Sequence, residues 1–230
     1  MKIPGIVGGI APESTVDYYR SIVAAWRERR PDGSYPAILI DSIDMQRMLG
    51  LAATDLAGLA AYLLDEVRRL ARAGADFCLL ASNTPHVVFD ELSRASPVPL
   101  LSIVQAACEH ARRLGLRRLG LLGTRFTMDG RFYPAVFSRQ GIALVPPEPE
   151  ERTVVHDRYM GELVKGVFRD ETRSALLGIV GRMRAREGVD GVLLAGTELP
   201  LLLRGADAGV PLLDTTRIHV DAVVERMLRD

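Results

Sequence analysis

The sequence predicts an α/β protein of two pseudo-symmetric Rossmann-like lobes with mainly parallel sheets, and it places the active-site cleft between them. Three observations lead there. Apolar runs of strand length alternate with amphipathic helical stretches along the whole chain, the pattern of βαβ units. Gly74-Ala-Asp-Phe-Cys-Leu-Leu-Ala81 overlays Gly188-Val-Asp-Gly-Val-Leu-Leu-Ala195 without a gap. A looser pair, Gly5-Ile-Val-Gly8-Gly9 and Gly120-Leu-Leu-Gly123-Thr124, recurs at nearly the same offset.

Taken in order, the strand candidates are Ile3–Val7, Ala37–Asp41, Asp76–Ala81, Leu100–Leu101, Leu119–Leu122, Ala143–Val145, Gly191–Ala195 and Pro211–Leu213. Between them Leu56–Ala73, Ile103–Leu114 and Thr172–Arg186 repeat apolar residues every three or four positions, as an amphipathic helix requires. Pro146, Pro147 and Pro149 mark a rigid turn before a helix. The motif G-x-D-x-x-L-L-A is also generic grammar for helix, turn and buried strand, so either repeat alone has a bland explanation. Two repeats in the same order argue for duplicated lobes. The expected boundaries are 1–98 for the first lobe, completed by a C-terminal helix over 215–230, and 99–214 for the second.

The chain has 230 residues, 48% of them hydrophobic, with 29 basic and 29 acidic side chains. That is enough to bury a substantial core. The charge balance removes the electrostatic case for nucleic acid or an anionic membrane as a partner. Arginine clusters such as 'WRERR' are interrupted by apolar residues and read as solvated helix faces. Cys78 and Cys108 form neither a disulfide framework nor a C-x-x-C metal spacing. No apolar stretch reaches a span of about 20 residues, and the first ten residues do not read as a leader. The composition predicts a soluble, cytoplasmic protein.

Ligands of open parallel sheets bind beyond the carboxyl ends of the strands. The small polar residues of this sequence collect there: Gly8-Gly9, Asp41-Ser42, Ser82-Asn83-Thr84, Gly123-Thr124, Gly196-Thr197-Glu198 and Asp214-Thr215-Thr216. Helix starts following these ends would add backbone N–H groups that favour an anion. Ser, Thr, Asn and Asp are also the preferred N-caps, so any one position has a purely local reading. The set as a whole suits a small carboxylate. Gly8-Gly9-Ile10-Ala11-Pro12 lacks the G-x-G-x-x-G spacing, and no phosphate-loop motif occurs.

These motifs resemble those of the aspartate/glutamate racemases, which invert amino-acid α-carbons without a cofactor such as PLP. Gly8-Gly9-Ile10-Ala11-Pro12-Glu13-Ser14-Thr15 is similar to the family's G-G-M-G-P-x-A-T opening. Ser82-Asn83-Thr84-Pro85-His86 is similar to C-N-T-x-H, Gly123-Thr124 with Thr127 to G-T-x-x-T, and Gly196-Thr197-Glu198-Leu199-Pro200-Leu201 to C-T-E-L-P-L. The tail Val210–Thr216 with His219 also fits. The resemblance implies that Asn83, Thr84, Thr124, Thr127 and Thr197 hold the substrate's α-carboxylate and ammonium. It matches Lys165, and less distinctively Arg47, to bases that take a side-chain carboxylate. On a local reading both are surface bases. A homodimer is implied as well.

The family mechanism places one cysteine on each side of the α-carbon, and here those positions are Ser82 and Gly196. A hydroxyl lacks the acidity of a thiol and needs an adjacent base. Glycine offers nothing. Cys78 lies roughly 13 Å back along a strand rising about 3.3 Å per residue, and Cys108 reads as buried on a helix. His86 and Glu198, with Glu13 behind them, are the remaining acid/base candidates. The function expected is a PLP-independent isomerase with non-standard proton transfer on an amino acid or small carboxylate. A lyase or hydrolase in the same cleft and a non-catalytic carboxylate-binding homologue are the alternatives.

Overall fold

A computed structural model of the chain describes residues 1–229. It forms two compact units, Met1–Ala106 together with the chain from Thr216 onward, and Ala107–Thr215.

The first unit runs β1 (Pro4–Gly8), α1 (Pro12–Arg29), β2 (Leu39–Ser42), α2 (Met45–Thr54), α3 (Leu56–Arg72), β3 (Phe77–Leu80), α4 (Phe89–Ala95), β4 (Leu100–Leu101) and the start of α5 (Ile103–Arg113). Its four strands lie in the order β2-β1-β3-β4, every pairing parallel. The second unit continues with β5 (Arg118–Gly123), α6 (Arg125–Asp129), α7 (Phe132–Phe137), β6 (Ala143–Val145), α8 (Pro149–Gly161), α9 (Asp170–Glu187), β7 (Gly191–Ala195), α10 (Leu199–Leu203) and β8 (Leu212–Asp214). Its order is β6-β5-β7-β8, again wholly parallel. The two sheets share one topology, and all eight expected strands form within two residues of their predicted limits.

The last helix, α11 (Thr215–Leu228), returns to the first unit. Val220, Val223, Val224 and Met227 recur at helical spacing and are fully buried against Ile6, Tyr18, Ile22 and Phe77. Each such side chain contributes about 1.5–3 kcal/mol relative to exposure. On the other sheet face α3 buries Leu59, Leu63, Val67 and Leu70. In the second unit α8 and α9 cover one face through Val155, Leu176, Ile179, Val180 and Met183, packed on Leu122, Val192 and Leu194.

The sequence repeat is a repeat of bonds. Asp76 accepts from Ile3 N–H at 2.6 Å, and Asp190 accepts from Arg117 N–H at 2.7 Å, with the same 73-residue separation. Each carboxylate ties the start of its strand to the start of the neighbouring one. Gly74 and Gly188, just before them, both have positive φ (102° and 63°), which stops the preceding helix and turns the chain into the strand. Cys78 N–H donates to Pro99 O at 3.0 Å, and Val192 N–H donates to Pro211 O at 2.9 Å.

Candidate functional site

Each polar cluster predicted to end a strand does so, and adjacent strand ends bring several together within each unit. In the first unit Gly8 pairs with Ser42, and Ala81 N–H donates to Val7 O at 2.9 Å, leaving Ser82 beside Gly8. The Gly9 N–H is taken by Thr15 Oγ1 at 2.8 Å. A Cβ at Gly8 would sit 2.6 Å from Thr15 Cγ2, so the glycine admits this threonine. Asp41 is drawn away toward α3, where Arg69 reaches it at 3.1 Å and Glu66 at 2.8 Å. Glu66 is buried, and desolvation followed by the neighbouring Asp41 raises its carboxyl above the ordinary range.

Ser82, Asn83, Thr84 and His86 are all buried, at 7%, 3%, 8% and 3% exposure. They form the turn after β3 and enter a short 3₁₀ segment, Thr84–Val88. His86 holds that turn. Its Nδ1 meets Ser82 O at 3.0 Å and its Nε2 meets Ile103 N–H at 3.3 Å. A carbonyl requires a donor and an amide requires an acceptor, so the neutral Nδ1–H tautomer satisfies both. Burial, then the nearby His219, pushes the ring down to about 3. Phe89 stacks on it at 4.9 Å. Both nitrogens of His86 thus serve the main chain, which leaves neither to exchange a proton with a ligand in this arrangement.

The second unit assembles the end of β7 differently. Gly123 at the end of β5 pairs with Ala195. Thr124 caps α6, its Oγ1 3.4 Å from Thr127 N and 3.3 Å from Thr127 Oγ1. Thr127 is fully buried. Thr197 and Glu198 are 5% and 2% exposed. Thr197 Oγ1 donates to Glu198 Oε2 at 2.9 Å. A second donor to that oxygen is Tyr159 Oη, from the last turns of α8. Desolvation, reinforced by the Glu198 charge, raises the Tyr159 phenol well above its ordinary value.

Tyr159 is the residue that sequence reasoning missed. A Cβ at Gly196 would lie 2.5 Å from Tyr159 Cε2, 2.8 Å from its hydroxyl and 2.9 Å from Cζ. The ring therefore occupies the space that a side chain at 196 would need. The available signal was Gly196 itself, since glycine at a strand end marks a close approach by another group. The approaching group could not have been named from the sequence.

The two basic candidates are both exposed. Arg47 is exposed on α2, its guanidinium carbon 4.2 Å from the centre of the Tyr62 ring. Lys165 ends a short 3₁₀ turn after α8 and is exposed. Glu13 is exposed in the first turn of α1. Neither cysteine belongs to a polar strand-end cluster: Cys78 is fully buried within β3 and its thiol is pushed up to about 12 by desolvation. Cys108, 3% exposed on α5, is raised for the same reason first. Among the described residues no group of three or more His, Cys, Asp or Glu could hold a metal ion. No helix among them is long and apolar enough to cross a membrane.

The Asp/Glu/Hydantoin racemase family model matches residues 7–223. The chain belongs to this family. It is 22% identical to the broad specificity amino-acid racemase RacX of Bacillus subtilis, over 97% of both chains. Among solved structures, a Yersinia pestis protein provisionally assigned as an Asp/Glu racemase matches with 33% identity, complete coverage of both chains and a TM-score of 0.92. An aspartate racemase homologue from Pyrococcus horikoshii matches with 33% identity, complete coverage of both chains and a TM-score of 0.88. The two four-stranded parallel sheets are the racemase fold.

Proposed function

We propose that this chain is an isomerase of the racemase family that acts at the α-carbon of a small amino acid or related carboxylate, without a thiol and without a cofactor. The observation that carries the reading is the buried Glu198 carboxylate at the end of β7, held by two hydroxyls beside Gly196. It is an oxygen base two residues beyond Gly196, the position where the family resemblance implies a thiol. Asn83, Thr84, Thr124, Thr127 and Thr197 are the proposed partners of the substrate's carboxylate and ammonium, being hydroxyls and an amide at strand ends. Lys165 and Arg47 are the proposed bases for a side-chain carboxylate. Ser82 is the proposed polar contact on the first unit, with His86 fixing the turn that presents it. Cytoplasmic location and homodimeric assembly belong to the same proposal.

Proton exchange tests it directly. The protein incubated with single amino acids in deuterated water should introduce deuterium at the α-position of at least one of them, with inversion following. A broad panel showing neither exchange nor inversion would sink the reading. Loss of carbon dioxide or of a leaving group would instead assign a lyase.

A second reading has a specific observation behind it. Tyr159 fills the space beside Gly196, and Glu198 is 2% exposed. Such packing suits a carboxylate-binding protein that performs no chemistry. Thermal stabilisation by an amino acid without exchange would favour it.

A further inference from the structure

The end of β7 holds a buried phenol and a buried carboxylate in one hydrogen-bonded unit, and the backbone there is shaped to admit them. The phenol comes from α8, where Val155 and Tyr159 bury one face of the helix in the same core as Leu163 and Leu199. The ring reaches the strand end because residue 196 has no side chain, as the 2.5 Å approach of a Cβ to Cε2 demonstrates. Its hydroxyl then points along the strand end to Glu198 Oε2, which also receives Thr197 Oγ1 at 2.9 Å. One carboxylate oxygen thus accepts two hydroxyl protons, in surroundings that exclude most water.

We propose that Tyr159 and Glu198 are the proton-transfer pair of the second unit, with Tyr159 Oη as the atom that meets the substrate α-carbon and Glu198 Oε2 as the acceptor behind it. The inference rests on the α-carbon chemistry proposed above. In the forward step the Cα–H bond breaks and its proton goes to Tyr159 Oη. In the same step the proton already on Oη passes to Glu198 Oε2. The electron pair remains on the α-carbon, delocalised into the substrate carboxylate. One negative charge moves from Glu198 to the substrate, and nothing is oxidised or reduced. Reversal of both transfers returns a proton to the carbon.

This relay never forms a free phenolate. That suits a phenol whose ionisation is opposed by burial and by the charge of Glu198. Besides the substrate contact proposed above, Thr197 holds Glu198: its hydrogen bond to Oε2 keeps the carboxylate turned toward the phenol.

The test compares the full-length wild-type protein with Tyr159→Phe and Glu198→Gln, each checked for its folded circular dichroism. Tyr159→Phe keeps the ring against Gly196 and removes a single oxygen, while Glu198→Gln is isosteric. With whichever amino acid the wild type exchanges in deuterated water, both variants should lose about 10²–10⁴-fold in kcat with little change in KM, the range of a positioned acid/base group. Should Tyr159→Phe fail to fold, Glu198→Gln carries the same expectation. A second readout needs no turnover: the Tyr159 hydroxyl proton resonance should be far downfield in the wild type, absent in Tyr159→Phe and shifted in Glu198→Gln. A folded Tyr159→Phe protein that exchanges at the wild-type rate would overturn the relay and leave the proposed isomerase standing. A wild type that exchanges no amino acid would overturn both.

Discussion

Replacing Gly196 with alanine adds one methyl group where the Tyr159 ring already lies. The added carbon would be 2.5 Å from Cε2 and 2.9 Å from Cζ, well inside contact distance. Gly196 is absent from the glycines with positive φ, so its backbone conformation is open to alanine. On backbone grounds alone the substitution would stabilise the protein by about 0.4–1 kcal/mol, through the unfolded chain. Overpacking a filled core costs about 1–3 kcal/mol. The steric effect should win, because the ring is held on its far side by a buried core and at its tip by Glu198. Net destabilisation of about 1–2 kcal/mol lowers Tm by roughly 2–8 °C in a chain of this size. Tyr159→Ala alone should cost about 3–5 kcal/mol by opening a cavity. In that background Gly196→Ala should become neutral or slightly stabilising, a coupling of about 1–3 kcal/mol. Urea denaturation followed by circular dichroism, on all four members of the cycle, measures it. Additive effects, or a Gly196→Ala protein as stable as the wild type, would refute the placement of the ring. A cysteine at 196 meets the same obstacle, so installing thiols as Ser82→Cys with Gly196→Cys requires a smaller residue at 159 as well.

Two further expectations concern buried titratable groups. His86 is pushed down to about 3 and His219 to about 4, in both cases by burial first. Each ring titrates near 6.5 when unfolded, so below that pH the unfolded chain binds protons that the folded chain refuses. Stability present above pH 6.5 should therefore fall by about 1.4 kcal/mol per pH unit for each ring as the pH drops toward 4. Urea midpoints taken from pH 7 to pH 4.5 test this, and a flat profile across that window would contradict it. Cys78 and Cys108, both buried with raised thiols, should resist a disulfide-exchange reagent in the native protein and react fully in urea. Stoichiometric labelling of the folded protein would show that one of them is reachable after all.

The fold was legible because the features that specify it are local and repeated. Gly74 and Gly188 stop helices, Asp76 and Asp190 lock strand starts, and the apolar runs that follow, Phe77–Leu80 and Gly191–Ala195, are strands. The helices α3, α5 and α9 follow from the spacing of apolar residues. The strand ends were legible too, since parallel sheets put polar residues at one edge. What spacing could not reveal was which groups from elsewhere meet those ends. Tyr159 lies 39 residues from Glu198, and the contact of His86 with Ile103 spans 17 residues. Both depend on tertiary packing. The sequence therefore offered His86 and Glu198 as equivalent acid/base candidates, and their surroundings separate them. One has both ring nitrogens committed to backbone, and the other is bonded to hydroxyls that can move a proton.

That separation bears on how a duplicated fold can hold unlike ends. Both units keep the glycine at the end of their second-position strand, Gly8 and Gly123, and both pack a helix-start threonine against it, Thr15 and Thr127. Scaffold residues of this kind have little freedom, because a Cβ at either glycine would collide with its threonine or with neighbouring backbone. The residue after β3 and the residue after β7 are under no such shared constraint. Ser82 sits in a turn fixed through its carbonyl by His86, which leaves its side chain out of that bond. Gly196 gives its side-chain space to a residue supplied by another helix. The polar group beside this strand end is thus carried by a side chain of α8. A chain that had lost all use for chemistry there would be expected to fill the space with an apolar ring. The hydroxyl on Tyr159 gives the buried Glu198 carboxylate a donor that an apolar ring would lack, so at this strand end the phenol and the carboxylate depend on each other.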